Sequence, residues 1–150
     1  IEGKRFVDVT KSSRTGNLQK GHGVAFADLR NTGIQDIFIE MGGAYPGDAY
    51  TSSLYVNPGQ NNNNWISLKL EGVKANRAAI GSQIKVTFTE NGVKRSVYKD
   101  VNSGGSFGSS PLRQEIGIGQ AKSIDEIEIK WAGSQTVQRF KNIVQTSSCI

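Results

Sequence analysis

The sequence predicts an all-β protein: an antiparallel β-sandwich, or a partly open barrel, with an N-terminal β-hairpin region. Three observations carry this. From Trp65 onward, short runs such as Trp65–Leu70 and Ile84–Thr89 alternate apolar and polar residues, the period of a half-buried strand. Turn signals separate these runs at the spacing of a sandwich or barrel. No segment carries the apolar spacing of an amphipathic helix, and Gly72–Ala79 and Gln120–Ser123 have room for one helical turn at most.

In chain order, Arg5–Val9 alternates and predicts a short strand, and the polar stretch Thr10–Lys20 a surface loop. Val24, Phe26 and Leu29 lead into a hairpin, and Ile37, Phe38 and Ile39 lead out of it. Gly42–Asp48 is a turn cluster and Ser53–Val56 a brief strand. Asn57-Pro58-Gly59-Gln60 and the four asparagines Asn61 to Asn64 follow. Asparagine side chains bond their own backbone and favour neither helix nor sheet, so a boundary is placed there. The division is residues 1–64 for the hairpin region and 65–150 for the sandwich. Within the second part, Asn91-Gly92 is a strong hairpin signal, because both turn residues must take positive φ. Val93–Val101 is then the partner of Ile84–Thr89. Ser103–Ser110 is a glycine-serine loop, and Leu112–Ile118, Ile124–Trp131 and Thr136–Phe140 alternate again.

Between the first two strands, residues 28–36 trace the outline of a calcium loop. Such a loop places oxygens at alternate positions, turns at a glycine and closes on a carboxylate. Asp28, Asn31, the Ile34 carbonyl and Asp36 fit that outline as metal ligands, but Arg30 and Thr32 stand where further oxygens are needed. Two carboxylates are few for a cation that takes six to eight oxygens. A guanidinium ~4 Å from a unit positive charge costs about 4 kcal/mol at an effective dielectric near 20. The favoured reading is therefore a degenerate loop with no cofactor, in which Arg30 supplies the positive charge and calcium binds weakly if at all.

Eighteen basic and thirteen acidic side chains leave a net charge of +5. The positive residues are scattered and alternate with apolar ones, rather than gathered with interleaved aromatics as a phosphate-tracking surface requires, so nucleic acid is not an expected partner. No apolar run is long enough to span a bilayer. The single Cys149 excludes an internal disulfide and a thiolate metal cage. Ile1 opens no signal sequence, and the start of the chain reads as an internal point of a longer protein.

Several residue groups invite chemistry. Gly104–Gly108 matches G-x-S-x-G around Ser106, but that elbow needs a strand-to-helix turn and a downstream His. The only histidine, His22, lies far upstream. Serine hydrolysis is therefore disfavoured and no catalytic residue is assigned. Glu126 and Glu128 share an outward strand face and read as solvated rather than as a catalytic pair. Asn76 and Arg77 precede a glycine-bounded loop. An arginine there can fork to a ligand carboxylate or sugar, or clamp its own loop with Glu115 or Asp100 as counter-ion, and the clamp is preferred. Tyr45, Tyr50, Tyr55 and Trp65 surround turn-rich segments and form the candidate glycan platform, whereas Trp131 reads as core.

Two stretches resemble known families. Gly21–Glu40 (GHGVAFADLRNTGIQDIFIE) resembles a single FG-GAP (VCBS-type) repeat, whose loops usually carry acids where Arg30 and Thr32 stand. Residues 65–140 resemble the ASPIC/UnbV domain of cartilage acidic protein-like and bacterial extracellular proteins, through NNWISLKLEG, Asn76–Gly81, SGGSFGSSPLRQEIGIGQA and IDEIEIKWAGSQTVQRF. Ala132 stands where that family usually has proline. The resemblance implies a β-rich, exported module of the extracellular space or cell envelope, without established catalysis and downstream of propeller repeats in a larger chain. The expected function is non-enzymatic binding or assembly, with protein or glycan as partner. The alternatives are a carbohydrate-active enzyme accessory or hydrolase domain, and a structural cap on a propeller.

Overall fold

The computed structural model describes residues 5–43, 45–59, 62–105 and 107–144. Among them are nine strands and no helix: β1 (Gly21–Ala27), β2 (Asp36–Met41), β3 (Ser53–Tyr55), β4 (Asn64–Leu68), β5 (Gln83–Glu90), β6 (Val93–Asp100), β7 (Gln114–Gly119), β8 (Ser123–Lys130) and β9 (Val137–Val144). Among the described residues, no helix is long and apolar enough to cross a membrane. The strands form three antiparallel sheets, ordered β1-β2-β3, β4-β7 and β6-β5-β8-β9, and these do not close into a barrel.

The core lies between the four-stranded and two-stranded sheets. Ile84, Val86 and Phe88 of β5 and Ile127 and Ile129 of β8 face Ile116 and Ile118 of β7 and Leu68 of β4. Trp131 packs against this cluster part-buried. Asn91 and Gly92 take φ of 51° and 78°, which sets the tight turn and an unbroken register from Glu90↔Val93 to Gln83↔Asp100. One end of the sandwich is plugged by the Asn76–Gly81 loop. Ala79, fully buried at φ 57°, drops into the core there, while Gly81 donates to Val101 O at 2.8 Å.

The structure differs from the sequence reading in particular places. Arg5–Val9 is not a strand: Phe6, Val7 and Val9 are exposed, and alternation without a neighbouring edge to pair with does not make a ladder. Trp65–Leu70 stops pairing at Leu68, and Thr136–Phe140 continues to Val144. The asparagines at the expected boundary grip the sandwich. Asn64 Nδ2 donates to Ala121 O at 3.0 Å, and Gln120 Nε2 donates to Asn63 Oδ1 at 2.7 Å.

Candidate functional site

The β1–β2 loop is organised around Asp28, only 7% exposed. Its Oδ1 accepts the N–H of Thr32 at 3.0 Å and of Arg30 at 3.3 Å, and its Oδ2 accepts Gly33 N–H at 2.6 Å. Asn31 and Gly33, at φ 52° and 78°, fold the backbone so that those amides converge. Burial alone would raise the Asp28 carboxyl. The amides of Thr32, Gly33 and Arg30, with the charge of Arg113, outweigh it and hold the group below the usual carboxylate range.

At the other end of the loop Asp36, 2% exposed, accepts Asn57 N–H at 2.8 Å on the oxygen that faces Arg30 Nη2 at 3.3 Å. The same Nη2 donates to Asn57 O at 2.6 Å, so Arg30 ties the loop to the segment after β3. Arg113 reaches across from the sandwich. Its Nη1 donates to Asn31 Oδ1 at 3.0 Å and its Nε pairs with Glu115 Oε1 at 2.7 Å. Ser67 Oγ of β4 donates to the same oxygen at 3.2 Å. The hairpin is thereby bolted to β7 and β4 through one guanidinium.

This arrangement decides how well the predicted calcium ligands suit a cation. A cation needs lone pairs converging on it, yet both Asp28 oxygens face backbone donors, Asn31 Oδ1 faces Arg113, and Asp36 Oδ1 faces Arg30 and Asn57. Ile34 is held by packing, its Cδ1 lying 2.6 Å from where a Cβ on Gly59 would sit. Among these side-chain oxygens Asp36 Oδ2 is buried without a hydrogen-bond partner, and one such oxygen falls far short of the six to eight that calcium takes. Among the described residues, no group of three or more His, Cys, Asp or Glu side chains is gathered as a metal ion requires. Replacing the cation-mimicking charge should change this. The double variant Arg30→Asp, Thr32→Asp is expected to gain a calcium-dependent rise in melting temperature, while the native chain melts alike in calcium and in chelator. A native chain that loses stability in chelator would refute the assignment of Arg30.

Along the bolted junction runs a cleft of about 520 Å³, with Phe26, Leu29, Gln35, Asn102, Arg113 and Gln114 in its walls. Phe26 and Leu29 are 45% and 58% exposed. A second cleft of about 420 Å³ lies beside Trp65, Asn57, Gln35 and Glu115. Gln35 and Glu115 line both.

The predicted platform is split between the two ends of β2. Trp65 is half-buried on β4, with Gly33 packed so closely on its pyrrole ring that a Cβ there would overlap it. Tyr55 lies opposite Ile37, and its hydroxyl accepts Asn17 Nδ2 at 2.6 Å. Tyr50 flanks Gly42 at the far end of β2. With ~3.3 Å of rise per residue, the two sit on the order of 15 Å apart. Exposed Tyr45 holds the Lys20 ammonium 4.6 Å from its ring centre.

Asn76 clamps its own loop, donating to Ile80 O at 2.7 Å and accepting Ile80 N–H at 3.1 Å. Arg77 is largely exposed and pairs with Glu71, not with the anticipated Glu115 or Asp100, because Glu115 is taken by Arg113. His22 is half-buried on β1. Ser106 of the G-x-S-x-G stretch and Cys149 lie outside the described residues. Sequence reasoning singled out none of Gln35, Asn102 and Arg113 as members of this site. Their one signal was polar side chains beside loops.

Comparison with known proteins adds one positive finding. A family model described as ASPIC and UnbV matches residues 72–149, more than half of the chain. The match begins after β4 and leaves the hairpin sheet outside it. No curated protein matches the chain.

Proposed function

The chain belongs to the ASPIC and UnbV family, and on that premise we propose that it is a non-enzymatic binding module of an extracellular or cell-envelope protein, recognising a glycan in the cleft between hairpin and sandwich. The observation that carries this is the mixed wall of the 520 Å³ cleft. Exposed Phe26 and Leu29 offer apolar surface for the flat face of a sugar ring, and the side-chain amide of Gln35 with the amide oxygen of Gln114 offers donors and acceptors for its hydroxyls. A site of this kind orients a ligand without acting on it. The acids nearby support the same reading, since a general acid works best with its pKa raised toward the working pH. Asp28 is shifted the other way, and Glu115 is engaged by Arg113 and Ser67.

A glycan array probed with the native chain tests this. Binding is expected to fall at least about tenfold, or ~1.4 kcal/mol, in Phe26→Ala and in Gln35→Ala, with melting temperature held. Absence of any glycan binding, or binding indifferent to both changes, would refute the cleft. Turnover in an ester and glycoside substrate screen would refute the non-enzymatic reading.

One observation favours assembly as a second role. Phe38 and Leu54 are cross-strand neighbours, 42% and 50% exposed, and β1 has an unpaired edge. Such a sheet suits lateral contact with further sheets of a larger chain. Reading residues 21–40 as a degenerate FG-GAP repeat, beside propeller repeats of a parent protein, accords with that.

A further inference from the structure

The outer edge of the four-stranded sheet is a surface that the cleft reading leaves unused. β6 is an eight-residue strand paired on one side only. Its register with β5 is unbroken, whereas β1 and β4 carry register shifts and β9 turns at Asn142, φ 54°. Seven of its eight residues are exposed.

The turn geometry fixes which backbone groups face outward. In a two-residue hairpin the flanking pair, here Glu90↔Val93, exchanges its hydrogen bonds, and every second pair thereafter does the same. Lys94, Ser96, Tyr98 and Asp100 belong to the alternate pairs, so their N–H and C=O groups point away from β5. Asn102 Nδ2 donates to Asp100 O at 3.1 Å, which agrees with an outward carbonyl there. The other rungs form an open template for a further strand.

Charge selects the occupant. Glu90, Glu126 and Glu128 are already paired with Arg95, Lys141 and Arg139. Lys85, Lys94, Lys99 and Lys130 make no ion pair among the described residues. A cleft of about 270 Å³, separate from the glycan cleft, lies beside Lys85, Tyr98, Lys99 and Lys130 and gives room for side chains of an added strand. A second copy of β6, antiparallel about Val97, would set Arg95 against Lys99 twice, a like-charge pairing that an acidic strand avoids.

We propose that β6 accepts an extended acidic peptide segment as a fifth strand, held by main-chain hydrogen bonds along Lys94, Ser96 and Tyr98 and by the unpaired lysines around them. Strand addition of this kind draws affinity from the backbone and selectivity from alternate side chains.

The test uses an acetylated, amidated peptide matching β6 in length and alternating Glu with Val or Thr, titrated into the full chain. Ser96→Pro removes one outward N–H without touching a β5–β6 rung, and Ser96→Ala controls for the lost hydroxyl contact with Thr87 (3.1 Å). Affinity is expected to fall at least about tenfold in the proline variant and to stay within about twofold in the alanine variant. Hydrogen exchange at Lys94, Ser96 and Tyr98 should slow on binding. The pair Lys94→Glu, Lys99→Glu should abolish binding of the acidic peptide and admit a Lys-alternating one. Equal binding by native and proline variants would overturn the proposal, leaving a general polyanion surface, and so would no binding to the native chain. Phe26→Ala leaves this edge intact, so a failure of the glycan cleft and a failure of the edge are read separately.

Discussion

Gly33→Ala is expected to lower stability by about 2–5 kcal/mol, a large effect for one added methyl group. Two costs add. A non-glycine residue at φ 78° pays roughly 1–2 kcal/mol for the left-handed backbone. The new Cβ also meets the Trp65 ring, which must shift at a further cost of about 1–3 kcal/mol. Gly92→Ala separates the two. Its φ is also 78°, but nothing lies within 4 Å of its added Cβ, so it should show the backbone cost alone. Urea unfolding followed by tryptophan fluorescence measures both, and Gly33→Ala should also shift Trp65 emission toward that of a wetter indole. Equal losses at the two glycines would mean that the loop is not seated on Trp65.

Ile118→Ala is expected to cost about 2–5 kcal/mol. Ile118 is fully buried on β7 between the two sheets of the sandwich, where close packing leaves neighbours little freedom to collapse into the space. A domain of ordinary stability, about 5–15 kcal/mol, would lose a large share of it. Phe38→Ala removes a larger side chain, but one that is 42% exposed on the hairpin sheet, and should cost clearly less. If the two variants lost stability equally, the centre of the fold would not lie in the sandwich. Denaturation midpoints for the pair decide this.

The sandwich was legible because its information is local. Alternation in Ile84–Thr89 and the Asn91-Gly92 turn define a hairpin within about a dozen residues, and the rest of the sheet builds on it. Arg5–Val9 shows the limit of alternation: the same pattern without an edge to join stays exposed. The candidate site was less legible because its contacts are distant in sequence. Arg113 meets Asn31 from 82 positions away and Ser67 meets Glu115 from 48, and nothing near either residue announces the partner. Arg77 was assigned the wrong counter-ion for a related reason. Arg113 precedes β7 by one residue and its guanidinium reaches back to Glu115, so Glu115 was already spoken for. The tyrosines were grouped by proximity in sequence, but an extended chain carries Tyr50 and Tyr55 to opposite ends of a sheet.

The amide cradle of Asp28 also makes the junction sensitive to acid. A carboxyl held below its ordinary value of 3.8 stabilises the folded chain fully above that value, and the gain drains away as pH falls through the lowered folded value. Once protonated, the side chain repels at least one of the N–H groups it had gathered, and the turn that positions Asn31 against Arg113 loosens with it. The melting temperature should therefore fall steeply only in strong acid, and Asp28→Asn should lose that part of the dependence.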